Sequence, residues 1–493
     1  MSIAIIGGGI VGLTAAAYLK QHGIDDFIVF EEEGEVGGTW RDHDYPGAGT
    51  DTEAPSYIPT FLPIPDFKSQ FATRAEIFAY IKDVMAKEYV GYDRIRLGHR
   101  VQEFVFTPDD MWHIKVETAS GIVDFEARFV ILAYFSLSKK HMRTPEFPGR
   151  ERFSKTVLHS ANLSSDLAQY ADKDVVVVGC GATAVQLVPS ISGVARTVTV
   201  LRRTMPYISR KQKQAAPKTQ LEWTLHRLYY ELRNDVITSF DWARRSEWLL
   251  RRWVWFTQYQ LPTLTGACAP LPQSAYPRPE QPVQCTRRAF DYLGFRDSLA
   301  NPHVKIVDLT QDPIKGYVEE GISLESGQVC RADLIILATG YHGGEPGMDL
   351  KFTVKGKRVI DLLQAPNLFI PLMGCPLFCI PPRVCEDSMA WFVREYRRHA
   401  DNARQIFFLA VAPPDPTAAD RFQRNHVVSS PYCSSGRYFR TTSKSDPDAR
   451  VPQAAYDFEG GGIPRILMNL IMRVALSPKV VAKGSVVPKL SKL

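Results

Sequence analysis

The sequence predicts an α/β protein with two Rossmann-like dinucleotide-binding domains, the second inserted in the first, plus a helical insertion. Three observations predict it. Glycine-rich turns at 7–12 and 179–184 each follow a short apolar run and lead into a helical pattern. A further apolar run, Asp333 to Tyr341, reads as a strand returning the chain to the first domain. Residues 207–280 break the alternation of strand and helix. The expected limits are 1–150 with 335–410 for the first domain and 151–334 for the second, with the helical insertion at 207–280. Residues 411–493 read as a C-terminal extension and tail.

The first unit opens with Ile3 to Ile6, then Gly7, Gly9 and Gly12 at GxGxxG spacing. A helix is expected from Leu13 to Lys20, and a second strand from Asp26 to Phe30 ending at Glu31. Gly7 permits the tight turn, Gly9 admits a pyrophosphate to the backbone, and Gly12 lets helix and strand pack closely. The helix N-terminus offers unpaired N–H groups and a positive dipole end to phosphates. Glu31, about 20 residues beyond the last glycine, stands where an acid binds ribose hydroxyls. An acid there disfavours a 2′-phosphate, so the site suits FAD or NAD.

The second unit begins with Asp174 to Val178, whose four valines suit a strand buried on both faces. Gly179-Cys180-Gly181-Ala182-Thr183-Ala184 is the GxGxxA variant, and a helix is expected from Val185 to about Ile191. The next strand, Thr197 to Leu201, ends in Arg202-Arg203. A guanidinium fork matches a phosphate bidentately, so this site prefers the 2′-phosphate of NADP. Two sites of opposite ribose chemistry imply a division of labour, with NADPH delivering hydride to FAD on the first domain.

Composition narrows the field. The 493 residues are 45% hydrophobic and 23% charged, which excludes a disordered or fibrous chain. A net charge of +6 is too diffuse to argue for nucleic acid. Eight cysteines are too few for a disulfide scaffold, and Cys375, Cys379 and Cys385 lack zinc-site spacing, so no metal is expected. Without a CxxC pair, disulfide reduction is disfavoured. No apolar run reaches membrane-spanning length, and Pro366 to Pro382 is broken by five prolines. No secretory leader is read at the N-terminus. Ser491-Lys492-Leu493 matches the peroxisomal import tripeptide, so a peroxisomal import receptor is an expected partner; otherwise the chain is expected in the cytoplasm.

Gly37-Gly38-Thr39-Trp40, then Tyr45-Pro46-Gly47, then Asp51, follow the pattern [A/G]GxWxxxx[F/Y]P[G/M]xxxD. With this motif the chain resembles the type I Baeyer–Villiger monooxygenases, within the class B flavin monooxygenases. The likeness runs over roughly residues 1–400 and includes Arg202-Arg203-Thr204, Ala338-Thr339-Gly340-Tyr341 and Pro366-Asn367-Leu368-Phe369. The second fingerprint, FxGxxxHxxxW, is partial: Phe153 and His159 are in place, but Lys155 and Leu163 stand at the glycine and tryptophan positions. Ala133-Tyr134-Phe135 replaces the usual Ala-Thr-Gly.

The resemblance implies that Gly38, Thr39, Trp40, Asp51, Thr339 and Gly340 line the FAD site, while Arg287 joins Gly179, Gly181, Arg202 and Arg203 around NADPH. It implies a catalytic arginine in Cys285-Thr286-Arg287-Arg288, and the register assigns Arg288, with Asp51 as its carboxylate partner. The implied reaction inserts one oxygen of O2 beside a carbonyl through a C4a-peroxyflavin, taking an apolar ketone to an ester or lactone, on a specialised metabolite. Two further readings stand beside it: a class B enzyme oxygenating nitrogen, sulfur or another carbon, and a non-oxygenating flavoprotein. Thr219 to Gln258, with Trp223, Trp242, Trp248, Trp253 and Trp255 among arginines, reads as an amphipathic cap. The Pro-rich stretch from Leu261 to Pro282 reads as a lid loop. Glu386 to Arg398 reads as a helix behind the flavin.

Overall fold

A computed structural model of the chain describes residues 1–50, 54–69, 71–133, 142–203, 207–210, 219, 221–223, 288–291 and 293–341. It also describes 351–354, 357–358, 364–366, 368–369, 389, 392–393 and 407–409. The predicted sites Asp51 and Arg287 lie outside these residues, as do Tyr134, Phe135, most of the predicted insertion and the tail with Ser491-Lys492-Leu493.

The first unit is a parallel sheet. Strands β1 (Ile3–Ile6) and β2 (Phe27–Phe30) flank helix α1 (Ile10–Gln21) in the chain, and helices α2 (Thr39–Asp42) and α3 (Arg74–Ala79) follow. Strand β3 (Ile95–Arg96) pairs with β2. Strands β4 (Arg100–Phe106), β5 (Trp112–Thr118) and β6 (Gly121–Ala127) form an antiparallel meander, and β7 (Phe129–Leu132) returns to pair with β1. Strand β1 is buried on both faces, which is why it reads as an unbroken apolar run. Its alternation is still visible in packing. Ile3 and Ile5 face α1 and its neighbours, while Ala4 and Ile6 face Phe104, Trp112 and Ile114 of the meander.

The second unit repeats the scheme. Strands β8 (Thr156–His159), β9 (Asp174–Val178), β10 (Thr197–Arg202), β13 (Val304–Asp308) and β17 (Leu334–Leu337) form a parallel sheet in the order β13-β10-β9-β17-β8. Helix α4 (Ala182–Ile191) follows β9. Val175 and Val177 face one core, and Val176 and Val178 the other. A small antiparallel sheet of β14 (Ile314–Val318), β15 (Gly321–Leu324) and β16 (Val329–Arg331) covers the second face.

Two details differ from the sequence reading. The run read as the returning strand, with the first domain resuming at residue 335, belongs to the second sheet: Leu334–Leu337 lies between β8 and β9, and all four residues are buried. The crossing follows it, at 338–341, after which 351–354 pairs with β4 and 368–369 with β7. The stretch read as a helical insertion from residue 207 begins with a strand, β11 (Tyr207–Arg210), paired in parallel with β12 (Arg288–Asp291). Farther along, Leu221 to Trp223 is helical, and Trp223 is buried edge-on against Phe67 of the first unit. Met389, Phe392 and Val393 are helical and pack on the first core, Phe392 edge-on to Phe129. No helix among the described residues is long and apolar enough to cross a membrane.

Close packing at α1 gives a direct test. A Cβ on Gly12 would lie 1.9 Å from the Gly7 carbonyl oxygen. That partner is backbone, so it cannot swing aside. Gly12→Ala is expected to cost about 1–3 kcal/mol or more of folding stability in urea titrations. An unchanged midpoint would show that α1 can lift from β1 freely.

Candidate active site

The first glycine loop is held by its own acid. Glu31 ends β2 and is buried; one carboxylate oxygen accepts from Gly8 N at 2.7 Å. The other accepts from Arg41 Nη1 at 2.9 Å and Glu33 N at 3.1 Å. Burial raises the Glu31 pKa although Arg41 opposes the shift. A carboxylate offers about four lone-pair positions, so three bonds leave room for one ribose hydroxyl. Gly7 has φ +108°, which makes the turn a glycine position. Helix α1 starts at Ile10 behind Gly9, with no side-chain cap and no acid in its first turn. Its first N–H groups therefore face the loop mouth with the dipole uncompensated.

The segment 37–49 runs from this loop to the second unit. Gly37 N donates to Gly8 O at 3.0 Å, and the Gly38 backbone packs against that of Gly9. Thr39 and Trp40 begin α2, with the Trp40 ring edge-on to Tyr57 at 5.3 Å. Arg41 bridges Glu31 and Asp42. At the far end the Tyr45 hydroxyl donates to Gln186 Oε1 at 2.7 Å, and Gln186 Nε2 donates to Gly49 O at 3.1 Å. Gly47 (φ +80°) lies so close to α4 that a Cβ would meet the Gln186 carbonyl oxygen at 2.5 Å. Arg74 N donates to Ala48 O and Thr50 N to Ala72 O, pinning the loop to the start of α3.

In the second loop Gly179 has φ +112°, and a Cβ there would lie 2.4 Å from the Ala338 carbonyl oxygen. Gly181 leads into α4, also without a side-chain cap or first-turn acid. A Cβ on Gly181 would meet nothing within 4 Å, so open space lies before the helix N-terminus. The paired arginines separate. Arg202 Nη2 holds Asp308 at 2.8 Å across the β10–β13 edge, whereas Arg203 is exposed. Hydrogen bonds from Thr310 hold the Asp308 carboxyl below its usual range, with Arg202 contributing.

The two chain crossings run side by side. Arg143 N donates to Gly340 O at 2.9 Å, and the Thr339 hydroxyl donates to Arg143 O. Gly340 has φ +77°. His159 is buried; its Nε2 donates to Gly340 O at 3.0 Å and its Nδ1 accepts from Ala161 N at 3.2 Å. Lys155, at the fingerprint's glycine position, is tied to Asp333 at 2.8 Å, and Leu163, at its tryptophan position, is buried in the second core. Arg288 opens β12, opposite Tyr207. Sequence reasoning did not single out Arg41, His43, Gln186 or Asp308. Gln186 left a signal, a polar residue on an otherwise apolar helix; the others are ordinary charges until folded.

The family described as pyridine nucleotide-disulphide oxidoreductase matches residues 4–241. A Baeyer–Villiger monooxygenase of Streptomyces coelicolor is 29% identical over 353 residues, covering 69% of this chain and 64% of that protein's length. The FAD-containing monooxygenase EthA of Mycolicibacterium smegmatis is 31% identical over 353 residues, covering 69% of each chain. The chain belongs to the class B flavin monooxygenases of the Baeyer–Villiger group. Among solved structures, cyclohexanone monooxygenase in its open form shares the fold at a TM-score of 0.67 and 19% identity, covering 98% of both chains. Steroid monooxygenase bound to NADP does so at 0.66 and 22%, covering 86% of this chain and 89% of that one.

In this chain, His159 should impose a pH limit on the fold. Its neutral form is the one hydrogen-bonded, because Ala161 N–H needs an unprotonated Nδ1. Burial is the main cause that lowers its pKa below 6.5; the Gly340 carbonyl opposes the shift and His43 adds to it. The unfolded chain thus binds more protons below that pH, so this stabilisation is full above pH 6.5 and lost as pH falls through the native value. Unfolding free energy is expected to drop from about pH 7 to about pH 5, and the drop should shrink in His159→Gln. An equal drop in both proteins would remove His159 as its source.

Proposed function

We propose that this chain is an FAD- and NADPH-dependent monooxygenase that inserts one atom of O2 beside the carbonyl of a small apolar ketone, giving an ester or lactone. The second oxygen atom leaves as water, with electrons from NADPH. The observation that carries the reading is the double attachment of residues 37–49. One end bonds Gly8 in the first glycine loop, and the other bonds Gln186 on the helix that follows the second. Two uncapped helix N-termini and the open space before Gly181 fit two dinucleotides.

When bound, the flavin accepts hydride from the nicotinamide and supplies activated oxygen to the substrate. The chain's own residues do the rest. The N–H groups opening α1 hold the FAD pyrophosphate, and Glu31 accepts from its ribose. The N–H groups opening α4 hold that of NADPH. Arg203 is assigned the 2′-phosphate, and Arg202 neutralises Asp308, which would otherwise repel that phosphate. Arg288 is assigned to stabilise negative charge on the carbonyl oxygen under attack, because a guanidinium stays charged throughout. Asp51 is assigned to orient it. The chain neighbourhood supports that pair: Gly47, four residues before Asp51, packs on Leu293, five residues after Arg288.

A specialised metabolite remains the favoured substrate, and peroxisomal import through Ser491-Lys492-Leu493 is part of the proposal. A fluorescent protein ending in residues 480–493 should gather in peroxisomes and disperse when Leu493 is removed; dispersal of both would end that part.

The main test has two stages. Anaerobic NADPH should bleach the absorbance of the flavin-loaded protein, and isotopically heavy O2 should place one labelled atom in an ester. Arg288→Ala should keep the bleaching and lose ester formation by about a hundredfold or more. Absence of bleaching would overturn the NADPH assignment. Sulfide oxidation retained by Arg288→Ala, with no ester from either protein, would favour the heteroatom-oxygenating reading.

A further inference from the structure

A second feature of segment 37–49 lies at the chain crossing, in the phenol of Tyr341. Tyr341 follows Gly340 at the point where the chain leaves the second sheet, and its backbone bridges to Met142 of the outgoing crossing. Its hydroxyl meets Nε2 of His43, the residue that closes α2. The imidazole tautomer sets the direction of that bond. His43 Nδ1 donates to Thr39 O at 2.9 Å, because a carbonyl can only accept. The neutral ring then presents a lone pair at Nε2, and the phenol donates to it.

The Tyr341 ring is also flanked from the second unit. His159 packs edge-on at 5.4 Å between centroids, and His43 does so at 5.5 Å. His159 in turn bonds Gly340 O, one residue away. One side chain therefore touches the residue that closes α2 in the first unit and the residue that ends β8 in the second. Burial raises the Tyr341 pKa, with Tyr45 and Asp42 adding to it, so the phenol keeps its proton and remains a donor.

We infer that Tyr341 and His43 are positioning residues whose hydrogen bond sets the angle between the two units, and with it the approach of nicotinamide to flavin. The inference rests on the proposed function for its kinetic consequence but not for its structural one. Hydride transfer is steep in distance, and a misplacement of about 1 Å can cost about a hundredfold in rate. Tyr45–Gln186 fixes the far end of the same segment. A two-point attachment removes a rotation that one point would leave open.

The test uses the full chain loaded with FAD. Tyr341→Phe removes one oxygen and keeps the ring, so the fold is expected to survive. His43→Ala removes the acceptor, whereas His43→Gln restores one near the Nε2 position. Flavin content should be unchanged in all three. The limiting rate of flavin reduction by NADPH should fall about tenfold or more in Tyr341→Phe and His43→Ala, with partial recovery in His43→Gln. Reoxidation by O2 after dithionite reduction should be unaffected, since it needs no second unit. The double variant Tyr341→Phe/His43→Ala should be no slower than either single variant.

Amide exchange at 142–143 and 338–341 should quicken about tenfold in Tyr341→Phe while the strands β1 and β9 keep their protection. This readout needs no turnover. If the unaltered protein is not reduced by NADPH, the proposed function fails, and exchange alone decides: faster crossings support the hydrogen-bonded clasp, and unchanged crossings overturn it. An unaltered reduction rate in Tyr341→Phe overturns it. So does an equal fall in reduction, reoxidation and flavin content, which would mark a merely structural role.

Discussion

The backbone contact between Gly37 N and Gly8 O, with Tyr45 bonded to Gln186 eight residues farther on, ties two separately built nucleotide folds together. The segment also enters the second core, where Tyr45 is buried and Ala48 packs against it. Neither parallel sheet shares a strand with the other, and each buries a central strand, β1 or β9, on both faces. That tie, together with the His43–Tyr341 contact, holds the mouths of the two glycine loops in a fixed relation. The glycines along the segment follow from this constraint. Gly37, Gly38 and Gly47 all have positive φ, and a side chain on Gly37 or Gly47 would strike a neighbour.

The first acid shows how one residue serves fold and ligand at once. Glu31 is buried deeply enough that its carboxyl resists ionisation, yet it is surrounded by donors from Gly8, Glu33 and Arg41. Those donors offset the cost of burying a charge. They also fix the shape of the loop before any ligand arrives, so less ordering remains to be done on binding. Arg202 and Asp308 play a comparable part at the second site, where the pair is more exposed and correspondingly weaker.

Much of this was legible in the sequence because glycine spacing reports backbone geometry directly. Gly7 and Gly179 were read as turns and Gly12 as a close approach, and each lies where a Cβ or a negative φ would not fit. The valines of 175–178 announced a strand covered on both sides. What stayed hidden depends on contacts between distant positions. Leu334–Leu337 is an apolar run whose sheet membership cannot be read from its own residues; only pairing with β8 and β9 decides it. Tyr207–Arg210 was hidden for the same reason, since its partner lies at Arg288–Asp291. His43 and Tyr341 are about 300 residues apart in sequence and nothing local links them. Asp51 is assigned by its place in a fixed motif and Arg287 by register along the chain, which carry chemistry without supplying geometry.

Residues 37–49 are proposed to bring two dinucleotides together, one at each helix N-terminus. A crystal structure of the chain with FAD and NADP tests it most directly. One pyrophosphate should lie against the first N–H groups of α1 and the other against those of α4, with the nicotinamide and flavin rings meeting beside this segment. A second dinucleotide bound away from α4, or rings separated with residues 37–49 unattached to Gln186, would contradict it.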